Sequence, residues 1–315
     1  MNPRIKTITI VVIIVIIALA VFKNYSKSDV GLLVPSPQDQ IVTSAQYYCY
    51  GGKIITAEYH RDGGASSSKG FMNLSLSDGS KKTLMQTVSA DGSRYANADE
   101  SFVFWSKGNG VLVLENNVQK TYVNCIRAVD KPEGSDLSQV YVNHEQRFSL
   151  RLPAITMSSV NESSGFKVDE AYKYGLLGPG RDIFGTKFSI PSSMATGTNL
   201  GNDSYISVEE MQHASSCMAS LFVANVTGSS TVTDQETTYS VVSSDDAALG
   251  NRYEETVYAI PGTNPCIAVR YFIHYARIEN YPVGAVKEFD RKALINEFDQ
   301  IRRTLLVNSS NSSSI

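Results

Sequence analysis

Between Ala45 and Ile126 the chain is interrupted at short intervals by glycine-containing turn signals, which leave no room for a long helix. Gly51-Gly52, Ser77-Asp78-Gly79, Ala90-Asp91-Gly92 and Gly108-Asn109-Gly110 separate runs rich in aromatic and β-branched residues. Those runs are Tyr47–Tyr50, Ile54–Tyr59, Phe71–Leu76, Thr83–Val88, Phe102–Ser106 and Val111–Glu115, and Asn116-Asn117 leads into Val118–Cys125. Asp-Gly and Asn-Gly pairs supply the positive φ that tight hairpins require. Short strands at this spacing, with almost no helical periodicity, predict a small antiparallel barrel or sandwich over residues 45–127. Residues 62–70, DGGASSSKG, are expected to form a flexible loop within it.

Cysteine placement supports a separate module. Cys49 and Cys125 bracket the strand-rich stretch, and Cys217 and Cys266 both lie beyond it. Four cysteines allow three pairings, one of which keeps each bond within its own module. Loops of this length would stabilise by roughly 4 kcal/mol each in the chain-entropy picture. Disulfides belong to oxidising compartments, and the N-terminus agrees with that. Residues 7–22, TITIVVIIVIIALAVF, carry no charge and are flanked by Arg4, Lys6 and Lys23. A helix over them spans about 24 Å, a little short of a hydrocarbon core of roughly 30 Å; snorkelling lysines can close the gap. Residues 1–22 are therefore a membrane anchor or a signal sequence cut near Ala18-Leu19-Ala20. Either way the bulk of the chain is expected outside the cytoplasm, in the periplasm or at the cell surface, and secreted if the segment is cleaved. The polar, proline-containing residues 23–44 read as a linker.

A second architecture follows a polar connection over residues 128–140. Arg147–Leu152, Phe166–Tyr174, Lys187–Ile190, Ser204–Val208, Thr238–Ser243, Tyr253–Ile260 and Cys266–Ala276 have strand character. Met211, Met218 and Leu221 place a helix over Glu209–Phe222, and a closing helix from about Arg291 to Leu306 is capped by Asp290. Its Leu294, Phe298, Ile301 and Leu305 form one apolar stripe. The expectation for residues 141–307 is an α+β domain, an antiparallel sheet with covering helices. Its element order is loosely similar to PsbP-like domains. Residues 308–315 are expected to be a disordered tail.

Charge is uneven: residues 128–315 hold 15 basic against 22 acidic side chains, while residues 45–127 hold 9 against 7. No stretch is basic enough for nucleic acid as a partner. Catalytic patterns are equally thin. His60, His144, His213 and His274 are dispersed, with no HExxH. There is no G-x-S-x-G elbow, and Ser66-Ser67-Ser68-Lys69 meets an S-x-x-K pattern only inside a low-complexity loop. Gly178-Pro179-Gly180-Arg181-Asp182 lacks the following Lys-Ser/Thr of a phosphate loop and reads as a turn. Arg270 and His274 share one face of a strand, which reads as a solvated or helix-covered face rather than the lining of an anion pocket. No enzyme activity, cofactor or metal is expected.

Residues 45–127 resemble the MliC family of c-type lysozyme inhibitors over essentially the whole family domain. The resemblance is carried by Tyr47-Tyr48-Cys49, Gly52, Ala57-Glu58-Tyr59 and Leu74-Ser75-Leu76-Ser77-Asp78-Gly79. It continues through Ser89-Ala90-Asp91-Gly92-Ser93-Arg94-Tyr95, similar to the S-G-x-x-Y loop, and Phe104-Trp105-Ser106-Lys107-Gly108, similar to the W-x-K-G strand end. Tyr122-Val123-Asn124-Cys125 closes it. The resemblance implies a small antiparallel β-barrel, a bacterial cell-envelope setting and c-type lysozyme as partner. It also implies a binding loop made of Lys107, Gly108, Ser89, Asp91, Gly92, Ser93 and Tyr95, with Lys107 entering the target's cleft.

The chemistry is sound: lysozyme works with two carboxyl groups, and a lysine ammonium presented on a rigid loop can pair with them. One departure matters. Asp91, not serine, precedes Gly92, and the distance from Tyr95 to Lys107 points to a small insertion around Ala96–Ser101. Away from the motif, Lys107 reads as a solvated turn lysine, Asp91 as a turn former, Trp105 as core and Tyr95 as the base of the loop. A non-inhibitory envelope scaffold reusing the same fold is the alternative.

Overall fold

The computed structural model describes residues 40–61, 70–153, 155–156, 165–175, 182–224, 226 and 229–308. The apolar segment 7–22, residues 62–69 of the expected loop with Ser66–Lys69 among them, Gly178–Arg181 and, beyond Asn308, the expected tail lie outside the described residues. Among the described residues no helix is long and apolar enough to cross a membrane.

The first eight strands are β1 (Gln40–Cys49), β2 (Lys53–Arg61), β3 (Phe71–Leu76), β4 (Lys81–Thr87), β5 (Ser93–Ala96), β6 (Phe102–Lys107), β7 (Gly110–Glu115) and β8 (Cys125–Ala128). They close in sequence order into an antiparallel barrel, with β8 returning to β1. Alternation along the strands sends Ile55, Ala57, Met72, Leu74, Leu84, Phe102, Phe104, Val111 and Val113 inward as one core. Cys49 ends β1 and Cys125 begins β8, and the two are joined by a disulfide just beyond the Tyr48↔Ile126 pair. The bond thus pins the seam where the barrel closes. Two expectations shift here. β1 starts at Gln40, inside the stretch read as linker, and the last strand is Cys125–Ala128, not Val118–Cys125. The residues before Cys125 turn instead: Asn116 and Asn117 take positive φ, and the Glu115 side chain accepts from the Thr121 N–H.

Beyond the barrel come β9 (Gln139–Asn143), β10 (Phe148–Leu152), β11 (Ile155–Thr156), β12 (Phe166–Tyr174), β13 (Ile183–Ser189), β14 (Tyr205–Met211), β15 (Ser230–Asp234), β16 (Thr237–Ala248), β17 (Asn251–Ala259), β18 (Cys266–Ala276) and β19 (Leu306–Val307). β19, β10 and β9 make a three-stranded antiparallel sheet. The other eight strands run in the order β11-β12-β13-β14-β18-β17-β16-β15, antiparallel except for the β11–β12 pair. Among the described residues the α-helices are α1 (Ser192–Ala195) and α2 (Arg291–Arg303).

The expected cap is present at the closing helix, where the Asp290 side chain accepts from the Ala293 N–H at 2.9 Å. Leu294, Phe298 and Ile301 of α2 are buried in one cluster with Phe148, Leu150, Ile267, Val269, Tyr271 and Ile273. Leu305 packs against the same cluster past the end of the helix. The helix expected over Glu209–Phe222 does not form. The strand expected over Ser204–Val208 instead runs on to Met211, held between β13 and β18, and residues 219–221 make a single 3₁₀ turn. This strand is buried on both faces, so its side chains lack the alternation that identifies a half-buried strand. Cys217 bonds to Cys266 at the start of β18, which also holds the segment after β14 against the sheet.

Candidate functional site

The β6–β7 hairpin and the turn before β5 lie side by side, because β5 pairs with β6 through Ser93↔Ser106, Arg94↔Trp105 and Tyr95↔Phe104. Lys107 ends β6 and faces Gly110 across the hairpin turn. The β4–β5 turn carries Ser89, Asp91 and Gly92. Gly92 has φ +69°, and a Cβ there would stand 2.2 Å from the Ser106 carbonyl oxygen. Only glycine lets the two segments come this close. The Asp91 carbonyl oxygen accepts from Trp105 Nε1 at 2.8 Å and from the Ser89 hydroxyl at 2.5 Å. Trp105, the single tryptophan, therefore clamps the turn against the hairpin and is not a core residue.

This clamp brings two charged side chains together. Lys107 Nζ lies 2.6 Å from Asp91 Oδ2, and the side chains are 52% and 63% exposed. The hydrogen bond from Lys107, and then its charge, hold the Asp91 carboxyl below the usual carboxylate range. Tyr95 is buried at the base, edge-on to Tyr59, whose hydroxyl is 2.9 Å from that of Tyr47. Burial raises the Tyr95 phenol, with Tyr59 adding to the effect. Among the sequence-derived residues the structure thus gathers Lys107, Asp91, Ser89 and Gly92 at one place. Ser93 opens β5 beside them, its carbonyl accepting from the Ser106 hydroxyl at 3.4 Å. Gly108 occupies the exposed hairpin turn with φ +56°.

Other contributors were not visible in the residue pattern. Arg94 donates to both oxygens of Glu100, at 3.0 and 2.9 Å, and to the Thr87 hydroxyl. The stretch around Ala96–Ser101 is thereby a closed turn, with Asn97 accepting from the Phe102 N–H and Asp99 from the Ser101 N–H. On the other side of the hairpin, Asn109 donates to the Val307 carbonyl at 3.0 Å. Gly110 lies against the Asn308 side chain, so closely that a Cβ would sit 2.3 Å from Asn308 Nδ2. The lysine-bearing hairpin is braced by β5 on one side and by residues 307–308 on the other.

The second cluster is of a different kind. Arg270 on β18 is wholly buried and donates to both oxygens of Glu209 at 2.7 and 2.9 Å, to Glu255 at 2.6 Å and to the Phe222 carbonyl at 2.7 Å. Its guanidinium also lies over the Tyr174 ring. Burial alone would lower the Arg270 pKa, but the carboxylates of Glu209 and Glu255 outweigh it and raise it. His274, four residues on, is bonded to Asp203 at 2.6 Å and to Asn251, and stacks on Tyr253. The face is covered at Arg270 and partly open to solvent at His274, and carboxylates fill the guanidinium's contacts where an anion would bind. Among the described residues no group of three metal-ligating side chains converges.

Residues 47–121 match the family of membrane-bound lysozyme-inhibitor of c-type lysozyme, MliC. The chain therefore carries an MliC-type domain, and the matched segment runs from β1 to just before β8. Comparison with curated proteins gives no significant match, and neither does comparison with solved structures.

Proposed function

We propose that the chain is a membrane-anchored, extracytoplasmic inhibitor of c-type lysozyme that presents Lys107 to the catalytic cleft and performs no catalysis itself. The observation that carries this reading is the position of Lys107. It stands half-exposed on a hairpin braced from both sides, within the segment that matches an inhibitor family. Pre-bracing removes the ordering cost of binding, and a lysine ammonium can meet two acidic groups in a partly desolvated cleft. On this reading residues 1–22 are the anchor and 23–44 the linker, whose last residues from Gln40 enter β1. Residues 45–127 are the inhibitor domain, residues 141–307 an accessory domain, and residues 308–315 the tail. Ser89, Asp91, Gly92, Ser93, Tyr95 and Gly108 shape the binding loop.

The test is residual activity of a hen-type lysozyme on cell walls, titrated with the full-length protein and with Lys107→Ala. Inhibition at micromolar protein that drops at least tenfold in Lys107→Ala is expected. Absence of inhibition by the wild type would remove the function, and inhibition untouched by Lys107→Ala would remove the mechanism. One observation favours a second reading: Lys107 already has a carboxylate partner in Asp91. In a non-inhibitory scaffold of the cell envelope that pair would simply be part of the loop.

A further inference from the structure

At one end of the large sheet, two turns carry apolar side chains into open solvent. The β16–β17 hairpin turns at Leu249-Gly250, just beyond the Ala248↔Asn251 pair, and β18 ends level with it through Asn251↔Ala276. The chain that leaves β18 makes a second turn over residues 282–285. There the Ala285 N–H donates to the Pro282 carbonyl at 3.0 Å, and Gly284 takes φ +79°. Leu249 is 100% exposed and Val283 107%, with Ala247, Ala248 and Pro282 exposed beside them and Tyr281 at their edge. We infer that the two turns are a membrane-contacting surface, with Leu249 and Val283 dipping between the lipid headgroups of the bilayer that holds the chain. This rests on the reading of residues 1–22 as an anchor.

The conformation of Leu249 points to a function. Its φ of +50° lies in the left-handed region, which Asn or Gly enters cheaply and a bulky apolar residue does not. A fully solvated side chain makes no packing contact that would offset this, so the strain points to a contact outside the chain. The turns are also fixed to each other. The Gly250 carbonyl accepts from the Arg277 N–H and from Asn280 Nδ2, both at 2.9 Å. A Cβ at Gly250 would stand 2.6 Å from that nitrogen. Past the second turn, the Lys287 N–H donates to the Gly197 carbonyl at 2.9 Å. The tips therefore project as one rigid unit, and inserting them orders no loop.

Shape, charge and tether select a bilayer as the occupant. Side chains this exposed stand on convex tips. A folded partner would need matching pockets to bury them, and a two-fold contact with a second copy would set tip against tip. The headgroup region of a bilayer takes up apolar side chains without a preformed pocket. Arg252 and Arg277 stand close by, but Arg277 is paired with Glu279 at 3.4 Å and Asp246 is exposed on the same hairpin. The contact is therefore apolar in character and not a basic patch for lipid phosphate. Tyr281 is of the aromatic type that settles at headgroup level. Two apolar tips alone hold a bilayer weakly, whereas a tethered chain meets its own membrane at high effective concentration. Residues 23–39, between the uncharged stretch 7–22 and Gln40, reach at most about 60 Å.

The experiment places a tryptophan at each tip of the full-length protein, as Leu249→Trp and Val283→Trp. Val88→Trp, at a comparably exposed position of the barrel, is the control. Each protein is reconstituted into vesicles of phosphatidylethanolamine and phosphatidylglycerol, with and without brominated acyl chains. Flotation reports attachment, and thermal melting reports the fold. Emission is read as the difference from wild type, whose one tryptophan is Trp105. Bromine is expected to remove roughly half of the added emission at positions 249 and 283, and less than about a tenth at position 88. Equal emission with and without bromine at 249 and 283, in protein that floats, overturns the inference and leaves the anchor intact. Equally strong quenching at position 88 also overturns it, because the affinity of tryptophan itself for lipid would then account for the signal. Wild type that does not float with the vesicles overturns the anchor reading, and this inference with it.

Discussion

The barrel and the large sheet each contain a cation paired with a carboxylate at 2.6 Å, Lys107 with Asp91 in one and Arg270 with Glu255 in the other. Distance does not distinguish them; solvent does. Lys107 and Asp91 keep water on more than half of their surface, so a partner's carboxylate can join or replace the contact at little cost. Arg270 and Glu209 are fully enclosed, and the guanidinium's contacts are to sheet residues and to the Phe222 carbonyl packed against them. Such a pair does not recognise anything. The desolvation of its charges is balanced only while all partners stay in place. The exposed pair is open to solvent, and the buried one is part of how the sheet is assembled.

The largest effect expected from breaking this contrast is at the buried cluster. Arg270→Met leaves Glu209 and Glu255 without their cation and should lower unfolding stability by about 3–5 kcal/mol, measured by urea titration followed by circular dichroism. Adding Glu209→Leu and Glu255→Met should restore most of that loss, since a well-packed apolar replacement of a buried ion cluster is near neutral. If Arg270→Met alone were silent, the cluster would not be structural in the sense argued above. Lysozyme binding should survive the triple substitution, because the cluster lies outside the proposed binding loop.

A smaller effect is expected at Gly92, which links the backbone of the barrel to the exposed pair. Gly92→Ala adds a left-handed conformation costing roughly 1–2 kcal/mol and a contact with the Ser106 oxygen that only a backbone shift can relieve. The shift would pull the Asp91 carbonyl away from Trp105 Nε1. The chain's single tryptophan makes this visible: its emission should move to longer wavelength before global unfolding. Unchanged emission and an unchanged melting midpoint would show that the turn is not held as described.

The same contrast governs what could be read in the residues beforehand. Phe71–Leu76, Phe166–Tyr174 and Cys266–Ala276 form strands with the bounds that local pattern indicates. Their ends are set by chain-local chemistry, the turn residues and the change of polarity beside them. The strand expected over Ser204–Val208 forms, but its continuation to Met211 was missed because it is buried on both faces, leaving Met211, Met218 and Leu221 to imitate a helical stripe. β5, at four residues, is too short to show a period. Lys107, Asp91 and Gly92 were legible through motif spacing, and their juxtaposition followed from β5–β6 pairing. The brace from Asn109 to Val307 was not, because it joins residues 198 apart and no local feature of either one demands it.

The smallest expected effect is the most informative about the exposed pair. Asp91→Asn with Lys107→Met removes both charges and should leave the melting midpoint of the full-length protein unchanged. Both side chains are solvated, and an exposed ion pair between them gains little over its hydration. Asn retains the backbone of the turn, so the Trp105 and Ser89 bonds to the residue-91 carbonyl persist. A clear loss of stability would mean that the pair assembles the loop, as Arg270 assembles the sheet, and the division between offered and structural charge would fail. An unchanged midpoint together with lost lysozyme binding would place the whole value of the pair in recognition.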